Sequence, residues 1–341
     1  MKAADTRPLG RTGLEVTLVS YGGGSLGNFY RRIGNADAHA ILDAAWNEGI
    51  RYFDTAPVYG RGRSERRLGM FLGEKPRDEY VLSSMVGRLM VPARGEVAQD
   101  GIFLDPAPFN SRWDYSYDGV LRSHEESLQR LGLDRIDILY VHDIGRRLHG
   151  DAADEQMRIF RSGGLKALEQ LVGSGAIAGY GLGVTEVDVC VDMLDYANPE
   201  AFLLAGPYTL LDHAAAKPLL DRCLKRRVSL AIGGVFASGI LATGAVPGAR
   251  YDYAPADPDI LDRVRKLEYI AASHGVMLSA AALQFPLAHP AVATVLLGAG
   301  RLSSLEQGIG GIEAHVSPAF WRDLCEQGLV DPGCVPGAQA P

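Results

Sequence analysis

Three side chains of this 341-residue chain have the types and spacing to move a proton on and off an oxygen atom. Asp54 closes the apolar run 51–54, and Tyr59 follows five residues later in Arg51-Tyr-Phe-Asp-Thr-Ala-Pro-Val-Tyr-Gly60. His142 closes a second apolar run, 136–142. A phenol with an unperturbed pKa near about 10 is a poor acid or base at neutral pH, so a working tyrosine needs a cation and a histidine beside it. Alone, a strand-terminal aspartate reads equally as a loop brace, and a histidine after apolar residues as a core histidine. If all three meet at one rim of a barrel, chemistry is the better reading.

The elements that must position them are legible as an alternation. Short apolar runs at 16–21, 51–54, 80–85, 136–142, 178–184, 201–204, 228–232 and 293–297 read as strands, several apolar without interruption, as strands covered on both faces are. Amphipathic stretches at 37–48, 64–72, 117–131, 165–172, 186–196, 215–225, 259–274 and 303–309 read as helices. Asp37 is expected to cap the first of these and Gly49 to end it. Eight strand–helix alternations predict an α/β fold, a single-domain (β/α)8 TIM barrel over 1–330, with 331–341 as a loosely held tail. Long connections follow the third strand (87–116) and the fourth (146–164), on the side where barrel active sites form. Gly22-Gly-Gly24-Ser-Leu-Gly27 matches a dinucleotide fingerprint, but no helical periodicity begins inside it, so a glycine-rich turn at the barrel mouth is expected.

The net charge of −7 argues against nucleic-acid or anionic-membrane partners, and hydrophobic content of 47% suffices for a large core. No apolar run approaches the roughly 18 residues of a membrane span, and the N-terminus lacks the apolar core of a signal peptide. Cys190, Cys223, Cys325 and Cys334 have no metal-binding spacing, and a reduced, cytoplasmic protein without a metal is the expectation.

The segment around Asp54 and Tyr59, with Ser64-Glu65 and Leu68-Gly69 after it, resembles the D-T-A-x-x-Y-G signature of the aldo-keto reductase family. Leu9-Gly-Arg-Thr-Gly13 resembles the family's opening hairpin, and Ile138-Leu-Tyr-Val-His142 its histidine-bearing fourth strand. The chain is most similar to the sugar-oxidising members, the L-fucose, D-threo-aldose 1-dehydrogenase and pyridoxal 4-dehydrogenase group. That likeness runs through Asp114-Tyr-Ser-Tyr-Asp-Gly-Val-Leu-Arg-Ser123, Gly181-Leu-Gly-Val184, Leu203-Leu-Ala-Gly206 with Tyr208-Thr-Leu-Leu211, Ser238-Gly-Ile-Leu-Ala-Thr-Gly244 and Ala281-Ala-Leu-Gln-Phe-Pro-Leu-Ala-His-Pro290.

The resemblance implies hydride transfer between a nicotinamide and a carbonyl or hemiacetal carbon, with Tyr59 as acid/base, His142 orienting the substrate oxygen and Asp54 pairing with a lysine at the end of the third strand. Here Ser83-Ser84-Met85 stands where the family has Ser-Thr-Lys. Met85 carries no charge and leaves Asp54 without its expected partner, so impaired chemistry is expected. Arg88 is a possible substitute, but strict strand alternation points it away. The resemblance places the cofactor on Thr185, Tyr208, Gly233, Phe236, Ser238, Gly239, Gly298, Gly300, Arg301 and Ser304. The match is looser at the adenosine end, where the family's arginine falls at Gly300 and its asparagine at Gly308. NAD and NADP both stay open, with a slight lean to NAD because basic residues are few there. Trp113 is either a substrate contact or loop packing, and Tyr30 and Tyr115 are further candidate walls.

The resulting expectation is an NAD(P)-dependent enzyme oxidising a small aldose or related sugar alcohol at the hemiacetal carbon to a lactone. The alternatives are an NADPH-dependent reductase of aldehydes or ketones, and a non-catalytic barrel that binds cofactor and ligand. Sequence leaves the oligomeric state open.

Overall fold

A computed structural model describes residues 1–98 and 101–335. The eight expected strands are all present: β1 (Val19–Gly22), β2 (Tyr52–Asp54), β3 (Val81–Val86), β4 (Ile138–His142), β5 (Gly179–Val184), β6 (Ala201–Ala205), β7 (Ser229–Gly233) and β8 (Val292–Leu297). They pair in parallel in sequence order, and β8 pairs with β1 to close the barrel. The expected helices follow them as α1 (Asn35–Asn47), α2 (Arg63–Leu72), α3 (Tyr117–Leu131), α4 (Leu165–Gly173), α5 (Val187–Tyr196), α6 (Lys217–Arg226), α7 (Pro258–Ser273) and α8 (Leu302–Glu313). No single helix among the described residues is long and apolar enough to cross a membrane.

Alternation along the strands sorts the side chains. On β3, Val81, Ser83 and Met85 face the barrel interior, while Leu82 and Val86 pack outward beneath the helices. On β2 and β4 the inward positions are Tyr52 and Asp54, and Ile138, Tyr140 and His142. Period-2 geometry therefore aims Asp54, Met85 and His142 into one space at the C-terminal ends of three adjacent strands. At the opposite end the hairpin of Thr6–Pro8 and Glu15–Thr17 closes the barrel floor, with Leu9 and Val16 inside the interior cluster.

Several local expectations change. Asp37 is not the cap of α1; Gly34 holds that place and Asp37 is three residues in, its Oδ2 accepting from the Gly34 amide at 3.4 Å. Gly49, at φ 84°, does end the helix in the left-handed region. The connection after β3 contains an antiparallel hairpin of Arg88–Pro92 with Phe109–Trp113. The connection after β4 is largely helical, with Arg146–His149, Ala153–Ile159 and a π turn, Phe160–Gly164, leading into α4. The start of the tail is held in place: Asp331 caps the turn Pro332–Cys334, and Cys334 is buried. Residues 336–341 lie outside the described residues.

Candidate active site

The glycine-rich segment after β1 is a short 3-10 turn, Gly23–Gly27, as expected, and no α-helix begins within it. Its glycines permit close approach. A Cβ on Gly27 would lie 2.5 Å from the Tyr59 carbonyl carbon, and one on Gly23 2.6 Å from the Asp54 carbonyl oxygen. The turn thus presses against the loop that carries Tyr59. Ser64 Oγ donates to the Gly23 carbonyl oxygen at 2.7 Å and lies 2.8 Å from Thr55 Oγ1. Glu65, fully buried, accepts from Ser84 Oγ (3.1 Å) and pairs with Arg130 Nε (2.5 Å), tying α2 to β3 and α3. The residues that follow Tyr59 in the signature are therefore the brace of the loop that presents it.

Asp54, 2% exposed, has a neutral partner in the place of a cation. Ser83 Oγ donates to its Oδ1 at 2.6 Å; Tyr52 donates to Ser83 Oγ at 3.0 Å and lies 3.0 Å from the Tyr140 hydroxyl. Burial pushes the Asp54 carboxyl up to about 7, with the Ser83 hydrogen bond pulling the other way. Met85, 2% exposed, fills the neighbouring interior space, its side chain against Gly183 on β5.

This environment has a consequence for stability. Between about pH 4 and 7 the folded protein keeps the Asp54 proton that the unfolded chain releases, so stability falls as pH rises through that window. Asp54→Asn keeps an acceptor for Ser83 and removes the titration. It is expected to be more stable than the parent above about pH 7 by about 4 kcal/mol, shrinking towards zero near pH 4. Denaturant unfolding of both proteins across this range measures the difference; parallel pH profiles would contradict the assignment.

Tyr59 stands at the mouth with its ring edge-on to His142 (centroids 6.2 Å, 89°) and 5.6 Å from Phe103. Burial first, and then Asp54, Asp143 and Tyr253, raise its pKa well above the ordinary value, while Arg88 lowers it. His142 is held well below its ordinary pKa by burial and by Arg88, so its ring is neutral. Its Nδ1 is buried with no partner among the described residues, and its Nε2 lies 3.4 Å from Asp143 Oδ2. Because the ring is neutral, this contact is not an ion pair. Asp143, in the left-handed region at φ 46°, was not singled out in the sequence; only its place after a strand-terminal histidine marked it.

The expectation that Arg88 points away does not hold. Gly87 has φ +97°, which breaks strand alternation at the end of β3 and starts a new strand at Arg88. A Cβ there would lie 2.3 Å from the Tyr115 ring, so only glycine fits. The Arg88 guanidinium stacks on Trp113 at 4.0 Å, and its charge acts on both Tyr59 and His142. Trp113 in turn stacks on Tyr115 (5.7 Å) and meets His149 (4.6 Å). Tyr115 is not an exposed wall: it is fully buried, donates to the His142 carbonyl oxygen at 2.7 Å and lies 2.9 Å from His149 Nε2. Tyr30, 40% exposed, sits under Arg250 (5.6 Å) at the outer rim.

Beside this centre a cleft of about 240 Å³ opens past the ends of β5, β6 and β7, lined in part by Thr185, Gly206, Gly234, Ser238 and Tyr253. Thr185 Oγ1 is buried without a partner among the described residues, a vacancy that an amide of a ligand would fill. Gly234, Ala237, Ser238 and Gly239 all have positive φ (66°, 47°, 60° and 100°), a run of left-handed backbone of the kind that gathers amides around an anion. Phe236 is half-buried within it, and Gly233 ends β7 beneath. Over the cleft lies the hairpin of Arg250–Tyr251 and Ala254–Pro255, held by Arg147 to Asp252 (2.6 Å) and by the Tyr253 amide to Ser238 Oγ (3.0 Å).

The remaining expected cofactor residues divide. Gly298 and Gly300 face Ser25 across the β8–β1 closure, with room for only ordinary contact. Arg301 is exposed at the head of α8, and Ser304 lies half-buried in its first turn, so the helix opens at Leu302 and not at Ser303. Gly308 faces inward: a Cβ there would lie 2.4 Å from Leu297, which leaves no space for an asparagine. Tyr208 is fully buried against Phe285 (5.3 Å) and is not among the residues lining the cleft. Of the expected cofactor residues, Thr185 and Ser238 line the cleft, and the orphaned Thr185 hydroxyl with the positive-φ backbone at Gly234, Ala237 and Ser238 fits a nicotinamide dinucleotide there.

Asp54, Tyr59 and a neutral His142 thus stand together at the C-terminal rim of a closed (β/α)8 barrel. The model of the Aldo/keto reductase family matches residues 18–326, and the chain belongs to that family. It is 43% identical over 345 residues to pyridoxal 4-dehydrogenase of Microbacterium luteolum, covering 97% of this chain and 99% of that one. It is 35% identical over 323 residues to D-threo-aldose 1-dehydrogenase of a Pseudomonas species, covering 93% and 96%. Among solved structures, the holo form of aldo-keto reductase AKR11C1 from Bacillus halodurans superposes with a TM-score of 0.75 at 26% identity, covering 96% and 97%.

Proposed function

We propose that the protein is an NAD(P)-dependent dehydrogenase that oxidises a small aldose, or a related cyclic hemiacetal, at the carbon bearing the hemiacetal hydroxyl, giving a lactone at a rate limited by Met85. The observation that carries this reading is the convergence of Tyr59, neutral His142 and Asp54 at the rim beside the Thr185 cleft. The two dehydrogenase relatives support the direction of oxidation.

Thr185, the left-handed run from Gly234 to Gly239, and Gly298 to Ser304 would hold the dinucleotide, which when bound supplies a hydride acceptor for the substrate carbon. His142 hydrogen-bonds the substrate oxygen as a neutral ring and orients it. Tyr59, as phenolate, takes the hydroxyl proton while the C–H electron pair leaves as hydride, so the hemiacetal C–OH becomes a lactone C=O. Asp54, half ionised near neutral pH, adds negative charge behind Tyr59 and raises the cost of that phenolate. Trp113 shapes the substrate side through the arginine stacked on it. Arg301 is the one basic residue in the stretch 298–304, a thin basic cluster for a 2′-phosphate, and this leans the reading to NAD over NADP.

One observation favours the reverse reaction: Tyr59 is held protonated, as a proton donor to an aldehyde or ketone must be. Initial rates with a panel of aldoses and pyridoxal plus NAD⁺ or NADP⁺, against aldehydes and ketones plus NADH or NADPH, separate the two. Cyclic hemiacetals are expected to reduce NAD⁺. Carbonyl compounds that consume NADPH, with no hemiacetal oxidised, would replace this reading with a reductase.

A further inference from the structure

We propose that Asp143 is a substrate-binding residue, its carboxylate accepting a hydrogen bond from the hydroxyl on the carbon next to the hemiacetal carbon, so that the site selects aldoses over their 2-deoxy counterparts. The inference rests on the reading of the site as an aldose dehydrogenase in which His142 holds the hemiacetal oxygen.

The backbone makes the placement. Asp143 follows the last residue of β4, and strict alternation would point it away from the interior that His142 faces. Its φ of 46° breaks that alternation: the chain turns through the left-handed region, which aspartate tolerates better than most residues other than glycine. The two side chains meet instead, with Asp143 Oδ2 3.4 Å from His142 Nε2. The turn is held through its main chain. The Asp143 amide donates to the Gly183 carbonyl oxygen at 3.0 Å, and the Tyr115 hydroxyl reaches the carbonyl oxygens of His142 (2.7 Å) and Asp143 (3.3 Å). Unfavourable backbone kept in place by its surroundings is a feature of functional sites.

The carboxylate has capacity for a further donor. Its side chain is 19% exposed, against 9% for His142, so it borders the mouth without lying free in water. The neutral His142 ring offers it at most one N–H and no charge, whereas a carboxylate accepts at about four sites. Arg147, four residues on, is paired with Asp252 at 2.6 Å. Burial raises the Asp143 pKa, and a hydroxyl donating to the carboxylate offsets that loss of solvent. A substrate oxygen held at His142 Nε2 lies beside this carboxylate. In an aldose the next hydroxyl along is the one on C2, and its bond to a carboxylate is charge-assisted and fixes the orientation of the sugar. A substrate without that hydroxyl leaves the carboxylate desolvated and unpaired, which is how a hydrogen-bonding site rejects such an analogue.

The test is kcat/KM, with saturating NAD⁺ or NADP⁺, for L-fucose against 2-deoxy-L-fucose and for D-arabinose against 2-deoxy-D-ribose, pairs that differ only in the C2 hydroxyl. The proteins are the unmodified chain, Asp143→Asn and Asp143→Ala, each alone and combined with Met85→Lys so that slow turnover does not hide the ratio. With Asp143 in place, the hydroxylated sugar of each pair is expected to be preferred by about 10–10²-fold, the scale of one hydrogen bond to a charged group. Asp143→Asn, which keeps one acceptor and suits the left-handed backbone, is expected to cut the preference to about threefold, and Asp143→Ala to abolish it, the loss falling on the hydroxylated sugar. Asp143→Asn, matched in shape, serves if Asp143→Ala does not fold. Equal rates within each pair when Asp143 is present, or variants that lose both sugars of a pair alike, overturn the substrate contact and make Asp143 a brace for His142. Oxidation of none of the four sugars in either background overturns the dehydrogenase reading itself, and this inference with it.

Discussion

Met85→Lys is expected to raise kcat for hemiacetal oxidation by about 10²–10³, the scale of one electrostatic group added to a closed, preorganised site. The side chain at 85 points inward from β3 against Gly183 on β5, two residues beyond Ser83, which pairs with Asp54 on β2. A lysine ammonium there gains the Asp54 carboxylate as a partner and presents a positive charge beneath Tyr59. Both changes act in one direction: Asp54 stays ionised but neutralised, and the phenolate becomes less costly. The near match of methionine and lysine in length lets the core accept the exchange. A variant that folds, binds dinucleotide and turns over no faster would instead describe a barrel that binds cofactor and ligand without chemistry.

Tyr59→Phe is expected to lower kcat by about 10²–10⁴ in either direction, the usual contribution of a positioned proton-transfer group. The phenyl ring retains the contacts with Phe103 and the edge-on approach to His142, so folding and dinucleotide binding should persist. Quenching of intrinsic fluorescence on titration with NAD⁺ checks the binding, and initial rates check the chemistry. The two together separate loss of a proton donor from loss of the site.

What was legible in the sequence was whatever repeats locally. Eight apolar runs covered on both faces and the amphipathic helices between them are local signals, and they placed Asp54, Met85 and His142 at strand ends; that all three face one interior is a finding of the closed barrel. Signals failed where periodicity is erased or handed over to distant contacts. The helix Leu278–Leu287 is buried from Ala280 to Leu287, so it has no amphipathic stripe to read. Pro318–Glu326 has a readable start, Ser317 capping with Pro318 at the first position, but lies beyond the last strand–helix repeat. Arg88 was misdirected because one left-handed glycine reset the alternation. Gly308 falls where the family has an asparagine, and only the fold shows why: it is a packing contact against Leu297. The replacement partner of Asp54 was in plain sight as Ser83, yet only the closed barrel shows that the Ser83 hydroxyl reaches the carboxylate at 2.6 Å.

The missing cation at position 85 is the feature that limits a site otherwise assembled. The direct measurement is the initial rate of NAD(P)⁺ reduction by a cyclic hemiacetal in the unmodified chain, in Met85→Lys, and in Met85→Lys combined with Tyr59→Phe. The prediction is a rise of about 10²–10³ with lysine that vanishes when the Tyr59 hydroxyl is removed. An unchanged rate in Met85→Lys, or a rise that survives without the hydroxyl, would contradict it.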